Sequence, residues 1–353
     1  MGTMAGSLSQ CMDQEIKKIR IMGGGLAGLS LGIALQRRNV PVELHEALQY
    51  PRHRVCGEFI SGVSEKTLEI LGINTFFQNA PRPAEAAWWS GSKRIGTFLL
   101  PESAYAISRY DLDNQLSEYL QQLGGTVQTQ SRAQPIAEEG TVWSAGRRPS
   151  QGQWIGLKAH IRGITLESGL EMHLGDGGYV GLVGIGDGWT NVCGLFRLQE
   201  QRTTKQQPLL IGYLQAVGLS SLADRLSHVE WREGSQSAVA GFRLGRQPRM
   251  PKVACIGDAH SIIPPFTGNG MSMALEAAAL AVEPLVAYAY GQSSWSATLD
   301  MLHHRTDEKF ERRLYLAGSC QRLLMASWFR RPMEILAENQ LLPFRTLFTL
   351  TRN

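Results

Sequence analysis

The stretch Ile19-Arg20-Ile21-Met22-Gly23-Gly24-Gly25-Leu26-Ala27-Gly28 decides how the rest of the chain is read. A short apolar strand runs into G-x-G-x-x-G, and Leu26, Leu29, Ile33 and Ala34 leave it at helical spacing. A strand, a tight turn and a helix N-terminus in that order make a phosphate-binding turn. Gly23 lets the chain reverse, Gly25 leaves no side chain between backbone and diphosphate, and Gly28 lets the helix pack closely on the strand. The unpaired N–H groups at Leu26 and Ala27 and the positive end of the helix dipole then face the phosphates. By itself such a turn suits NAD as well as FAD.

Downstream, Val42-Glu43-Leu44-His45-Glu46 alternates like a second parallel strand and ends on an acid about 18 residues past Gly28. A carboxylate there accepts two O–H bonds from an adenosine ribose. Glu46 is preferred over Glu43 because it lies at the strand's C-terminal end. The basic loop Arg52-His53-Arg54-Val55-Cys56-Gly57-Glu58 follows, then a short helix from Ser64 to Leu71. Trp88-Trp89 and the Gly91-Ser92 turn indicate a hairpin. From Ser108-Arg109 a helix buries Leu112, Leu116 and Leu120 and ends at Gly124-Gly125.

Between Trp154 and Phe196 the apolar period changes to two, with turns expected at Ser168-Gly169 and Gly186-Asp187-Gly188. This predicts an antiparallel sheet with one face buried, inserted into a βα chain. The βα style returns with a strand over Lys252–Asp258, the loop Pro264-Pro265-Phe266-Thr267, and Gly268-Asn269-Gly270 opening an Ala-rich helix. One carboxylate, Asp258 after Gly257, and a second helix N-terminus then meet one ligand. That pairing suits hydroxyls on a linker and negative charge on a ring, and flavin adenine dinucleotide carries both.

The fold class expected is α/β: a Rossmann-like FAD-binding domain (15–82, 102–150 and 236–292), an inserted antiparallel sheet as substrate domain (83–101 and 151–235), and a C-terminal helical segment (293–353). The chain has 353 residues, 43% of them hydrophobic, enough for a large core and too apolar for disorder. A net charge of +4 without charge runs gives no reason to expect a nucleic-acid partner. The five cysteines (Cys11, Cys56, Cys193, Cys255 and Cys320) are scattered, which argues against a disulfide scaffold or a zinc site and for a reducing cytoplasm. No metal is expected. Met1 to Gln14 lacks a signal-peptide core and reads as a loose leader. The apolar stretch Met271–Tyr290 holds Glu276, Glu283 and Pro284, and reads as a buried helix rather than an integral membrane segment.

In order and type, these motifs resemble the FAD enzymes with the para-hydroxybenzoate hydroxylase fold, a group that includes aromatic monooxygenases, geranylgeranyl reductases and flavin halogenases. The resemblance spans Ile19 to about Pro284. It implies that Gly23, Gly25, Gly28 and Glu46 hold the adenosine end, that Arg109 approaches the FAD, and that Asp258 binds the ribityl chain. Pro265, Gly268, Asn269 and Gly270 match the loop along the isoalloxazine edge, where helix N–H groups favour a reduced, anionic flavin.

Departures narrow the chemistry. Ser144-Ala145-Gly146 stands where the group has Ala-Asp-Gly, so only the glycine carries over. Cys56-Gly57-Glu58 resembles the cysteine loop of the reductases, yet Gly178-Tyr179-Val180-Gly181-Leu182-Val183-Gly184 lacks their Trp and Pro. The Trp-x-Trp-x-Ile-Pro stretch of halogenases is absent. The expectation is an FAD-dependent monooxygenase using NADPH or NADH on an apolar or aromatic small molecule. Reduction of an isoprenoid or polyketide double bond is the alternative, and a catalytically quiet FAD-binding protein a third.

Cys56 reads either as a packed, inert thiol or as a group facing the flavin. Trp88, His160, Met172 and Tyr179 are the candidate substrate wall, each with core packing as the competing explanation. The Arg- and Trp-bearing helices around Trp328-Phe329-Arg330-Arg331 and Phe344-Arg345 read as a lid or as packing, with peripheral membrane contact as the other possibility. The oligomeric state does not follow from the sequence.

Overall fold

The structure, a computed structural model, describes residues 15–341 except 103, 148–149, 199–206, 251 and 340, together with 346, 348 and 349. The leader Met1–Gln14 and Phe344-Arg345 lie outside the described residues. Ile19 and Ile21 place β1 (Ile19–Met22) at the centre of a five-stranded parallel sheet. β2 (Val42–His45) and then β7 (Thr126–Gln128) lie on one side of it, and β8 (Thr141–Trp143) and then β16 (Ala254–Cys255) on the other. Central strands of a parallel sheet are covered on both faces, which is why Ile19, Ile21, Leu44 and Val142 are inaccessible to solvent.

α1 (Leu26–Gln36) is buried from Leu26 through Leu35, on every side rather than along one stripe. It is sandwiched between the sheet, α3 (Arg109–Gln122) and α6 (Gly270–Ala289). α2 (Glu65–Leu71) starts at Ser64, whose hydroxyl accepts from Thr67 N, and stops at Gly72 with φ 70°. α3 starts in the same way at Ser108. α6 is, among the described residues, the one helix long and apolar enough to cross a bilayer. It is packed between α1 and α7 (Trp295–Leu324), so its apolar surface serves the core.

The second sheet has eight strands: β4 (Glu85–Ser90), β5 (Lys93–Leu99), β9 (Trp154–Arg162), β10 (Leu170–Gly175), β11 (Gly178–Gly186), β12 (Trp189–Arg197), β13 (Glu230–Trp231) and β14 (Ser237–Phe242). Its order is β13-β9-β12-β11-β10-β4-β5, with β14 also on β9. The expected hairpins appear at Gly91 and at Asp187-Gly188. Both residues of the latter turn have positive φ (52° and 74°), the primed turn that matches strand twist.

Three details depart from the sequence reading. β10 and β4 run parallel, because the earlier hairpin inserts beside β10, so the sheet is mixed rather than antiparallel. Both faces are buried, one by α4 (Leu209–Ala216) and α5 (Ser220–Ser227), the other by residues of the first domain such as Phe59 and by the C-terminal helices through Met333 and Ala337. Ser168-Gly169 is not a hairpin turn between two strands: residues 163–169 form a loop in which the Ser168 hydroxyl donates to Glu85 O.

β14 extends the large sheet past residue 235, into the segment expected to return to the first domain. The strand expected over Lys252–Asp258 is only Ala254–Cys255, because Gly257, at φ 61°, turns the chain into a short 3-10 segment. Two minor pairs, β3 (Phe59–Ile60) with β6 (Tyr105–Ala106) and β15 (Gly245–Arg246) with β17 (Ser261–Ile262), flank the junction. The long α7 crosses α6, and α8 (Ser327–Glu338) packs against β5.

Candidate functional site

At the glycine turn, backbone geometry separates three roles. Gly23 has φ 115°, and a Cβ there would sit 2.4 Å from Ala145 Cα. A Cβ on Gly28 would meet Gly23 O at 2.1 Å. A Cβ on Gly25 would meet no protein atom within 4 Å, because Gly25 faces a cavity. The Ser144 hydroxyl donates to Gly23 O at 2.7 Å and seats the end of β8 on the turn. α1 has no side-chain cap at Gly25, so its first N–H groups are left for a ligand.

Glu46 lines the same cavity from the end of β2 while remaining only 4% exposed. Its carboxylate accepts from Gly24 N (2.9 Å), Leu48 N (3.1 Å), Arg52 (2.8 Å) and Arg54 (3.2 Å). Arg54 also reaches Gly24 O and pairs with Asp113 at 3.0 Å. Tyr50 donates to Gly24 O at 2.6 Å, and burial pushes its pKa up. Arg109 is the first residue of α3 and grips Asp113 with two bonds, at 2.7 and 2.8 Å. Burial opposes its charge, and Asp113 more than offsets this, raising the pKa.

The cavity measures about 1170 Å³ and runs from Glu46 past Asp258 to the large sheet. Small-molecule pockets usually span about 300–1,000 Å³, so this one has room for more than one such ligand. Asp258 opens onto it with no hydrogen bond from any described residue. The carboxylate is accessible inside the cavity yet enclosed by protein, so burial raises its pKa, with Arg147 the strongest of the charges that pull it back.

Gly257, Pro265, Gly268 and Gly270 line the cavity beside Asp258. Gly268 is left-handed at φ 67°, and a Cβ there would lie 2.5 Å from Phe59. Asn269 is buried at the N-cap of α6 and does not line the cavity. The Tyr179 hydroxyl accepts from Phe266 N at 2.9 Å, tying β11 to this loop.

On the sheet side, alternation sends Trp88, Leu170, Met172, Tyr179, Val183 and Leu195 to the cavity. Trp89 points the opposite way and stacks on His173 at 4.5 Å. His160 is a correction to the expected wall: it is fully buried behind the cavity, with Nε2 2.6 Å from Glu58 Oε2. Cys56 does line the cavity. Its sulfur accepts from Glu58 N at 3.4 Å, and burial pushes the thiol pKa up, so it is a poor thiolate.

The cluster that joins the two sheets was not legible as a site. Glu58, with φ 52° and no exposure, accepts from Arg109 N (2.9 Å), Lys158 (3.1 Å) and His160. These donors hold its carboxyl below the usual range despite burial. The signal lay in β9, where Lys158 and His160 are two residues apart in the otherwise apolar run 154–161 and so share one face.

No protein-family model matches the sequence, and the curated proteins give no significant match. Solved structures do match in fold. A p-nitrophenol 4-monooxygenase, PnpA from Pseudomonas putida, superposes with TM-score 0.75 at 13% identity, covering 96% of this chain and 99% of that one. The flavin-dependent brominase Bmp2 gives 0.73 at 16%, over 95% and 94%. HpxO of Klebsiella pneumoniae, complexed with FAD and uric acid, gives 0.70 at 14%, over 94% and 97%. The architecture of this chain, a parallel Rossmann-like sheet carrying a second large sheet and C-terminal helices, is therefore the fold of flavin-dependent monooxygenases.

Proposed function

We propose that this chain is an FAD-dependent oxidoreductase, a monooxygenase that takes electrons from NADPH or NADH and acts on an apolar or aromatic small molecule. The observation that carries the reading is one continuous cavity with three kinds of wall. A glycine turn and helix N-terminus stand at one end, a carboxylate without a hydrogen bond from any described residue and a second helix N-terminus at the middle, and an apolar sheet at the other. FAD fits this order: the open face of Gly25 is the cradle a Cβ would fill, and Asp258 is an acceptor waiting for hydroxyl donors.

The chain's own groups would divide the work. The N–H groups at Gly25, Leu26 and Ala27 hold the diphosphate, with Glu46 at the ribose while still bridged by Arg52 and Arg54. Asp258 takes linker hydroxyls. The start of α6 at Gly270 and Met271 turns its positive dipole end toward the polar edge of the ring. Bound FAD would supply electron transfer and the activation of oxygen. Trp88, Met172, Tyr179 and Leu195 would orient the substrate and exclude water.

Purified protein titrated with FAD tests this directly. Saturable binding with a flavin spectrum is expected, and Asp258→Ala is expected to weaken it by about tenfold or more, the scale of one or two lost hydrogen bonds. Protein that takes up no FAD would end the proposal. With FAD bound, NAD(P)H oxidation that consumes oxygen and quickens with an aromatic substrate supports the monooxygenase. Oxygen-independent turnover of an alkene supports the reductase instead, and a flavin that no donor reduces leaves a quiet FAD-binding protein.

A further inference from the structure

Behind the cavity wall lies a buried chain of titratable groups to which the cofactor assigns no task. His160 Nε2 lies 2.6 Å from Glu58 Oε2, Glu58 Oε1 accepts from Lys158 Nζ at 3.1 Å, and Lys158 Nζ lies 3.2 Å from His53 Nδ1. Lys158, Glu58 and His160 have no exposed side-chain surface. His53 alone of the four reaches the cavity. Its ring stacks on Tyr110 at 4.4 Å, and Arg232 covers the Tyr110 ring at 5.2 Å, so its plane is fixed.

Hydrogen-bond direction follows from the chemistry. An ammonium beside a carboxylate only donates, so His53 Nδ1 must accept from Lys158. A neutral imidazole then carries its proton on Nε2, the one ring nitrogen left for a ligand. The ring stays neutral because burial, then Lys158 and His160, push its pKa down to about 4, with Glu58 opposing and Arg232 adding to the effect. The surrounding cavity is also short of negative charge: Arg52, Arg54, Arg109, Arg132 and Arg147 line it against Glu46 and Asp258.

Resting on the reading of this cavity as the place where cofactor and substrate meet, we propose that His53 is the substrate-contacting donor. Its Nε2–H meets a phenolic, enolic or carbonyl oxygen of the substrate, and Lys158, held by Glu58 and His160, positions the ring in that tautomer. The substrate class is thereby narrowed from apolar or aromatic to a ring or enone bearing an oxygen that gains negative charge. Should that oxygen take the Nε2 proton, a Lys158 Nζ proton moves to Nδ1. The ring stays neutral, and Lys158 becomes an amine beside the Glu58 carboxylate.

Side-chain nitrogen NMR of ¹⁵N-labelled protein reads the tautomer, with His53 assigned by the signal lost in His53→Leu. The Nε2–H form is expected throughout about pH 5 to 8, and Lys158→Met is expected to release the ring to titrate inside that range. Wild-type His53 that titrates there, or that carries its proton on Nδ1, overturns the inference.

The ligand arm uses 4-nitrophenol on FAD-loaded protein, its colour reporting ionisation. Bound nitrophenol is expected to ionise about one pH unit or more below its free value, roughly a tenfold preference for the phenolate, and His53→Leu is expected to abolish the shift while FAD binding persists. An unshifted midpoint, a shift that survives His53→Leu, or no saturable binding refutes the oxygen contact. Failure to load FAD bears on the cofactor reading alone, since the NMR arm runs equally on FAD-free protein.

Discussion

Glu58 and Lys158 form an ion pair with no exposed side-chain surface, and removing one is expected to differ sharply from removing the other. In Glu58→Gln the side chain keeps its shape and an amide oxygen for Lys158, but the buried ammonium loses the negative charge that faces it at 3.1 Å and keeps only neutral acceptors, the amide and His53 Nδ1 at 3.2 Å. Orphaning a buried charge in this way costs about 3–5 kcal/mol. In Lys158→Met the carboxylate still accepts from Arg109 N at 2.9 Å and His160 Nε2 at 2.6 Å. The expected loss is about 1–3 kcal/mol, that of one charged hydrogen bond. The double variant replaces the ion pair by a neutral amide and a thioether of similar volume, and should return to within about 1–2 kcal/mol of the parent. Urea unfolding of the FAD-free proteins, followed by tryptophan fluorescence, gives the three differences. Lys158→Met as destabilising as Glu58→Gln, or single effects that simply add in the double variant, would refute the assigned partners.

The glycine turn yields a second contrast. Gly23→Ala must fit a Cβ 2.4 Å from Ala145 backbone at φ 115°, so it should destabilise the protein by about 2–4 kcal/mol. A Cβ at Gly25 meets only the cavity, so in Gly25→Ala the melting temperature without FAD should fall far less than in Gly23→Ala while FAD binding weakens; unchanged affinity would remove the diphosphate from this turn. Acidification should unfold the protein in two stages. His53, His173 and His260 have depressed values in the fold, His53 to about 4, so the unfolded chain binds more protons below the ordinary value near 6.5, and their stabilisation is lost as pH falls below it. Glu58 and Glu171 are also depressed, Glu171 to about 2, so their stabilisation is lost below the ordinary value near 4.5. A melting temperature that stays flat from neutral pH down to about pH 5 contradicts the histidine part.

The sequence by itself determined what is local. Gly23 and Gly28 mark the tight turn between β1 and α1, because a positive φ at the one and close backbone approach at both leave no room for a side chain. Ser64 and Ser108 start their helices, and Asp187-Gly188 closes its hairpin, for equally short-range reasons. The order of these signals was enough to indicate a Rossmann-like sheet with a second sheet inserted. Only the tertiary structure decided which groups meet. Period-two patterning names the residues on one face, yet says nothing of what covers that face or of the direction of the neighbouring strand. The sequence therefore did not reveal that β4 lies parallel to β10 or that Glu46 is bridged by two arginines. Nor did it reveal that His160, expected at the cavity wall, is spent on a carboxylate about 100 residues earlier. Ion pairs among distant residues depend on packing that no local propensity encodes. The site's electrostatics became visible only once the loop around Cys56 and strand β9 were side by side.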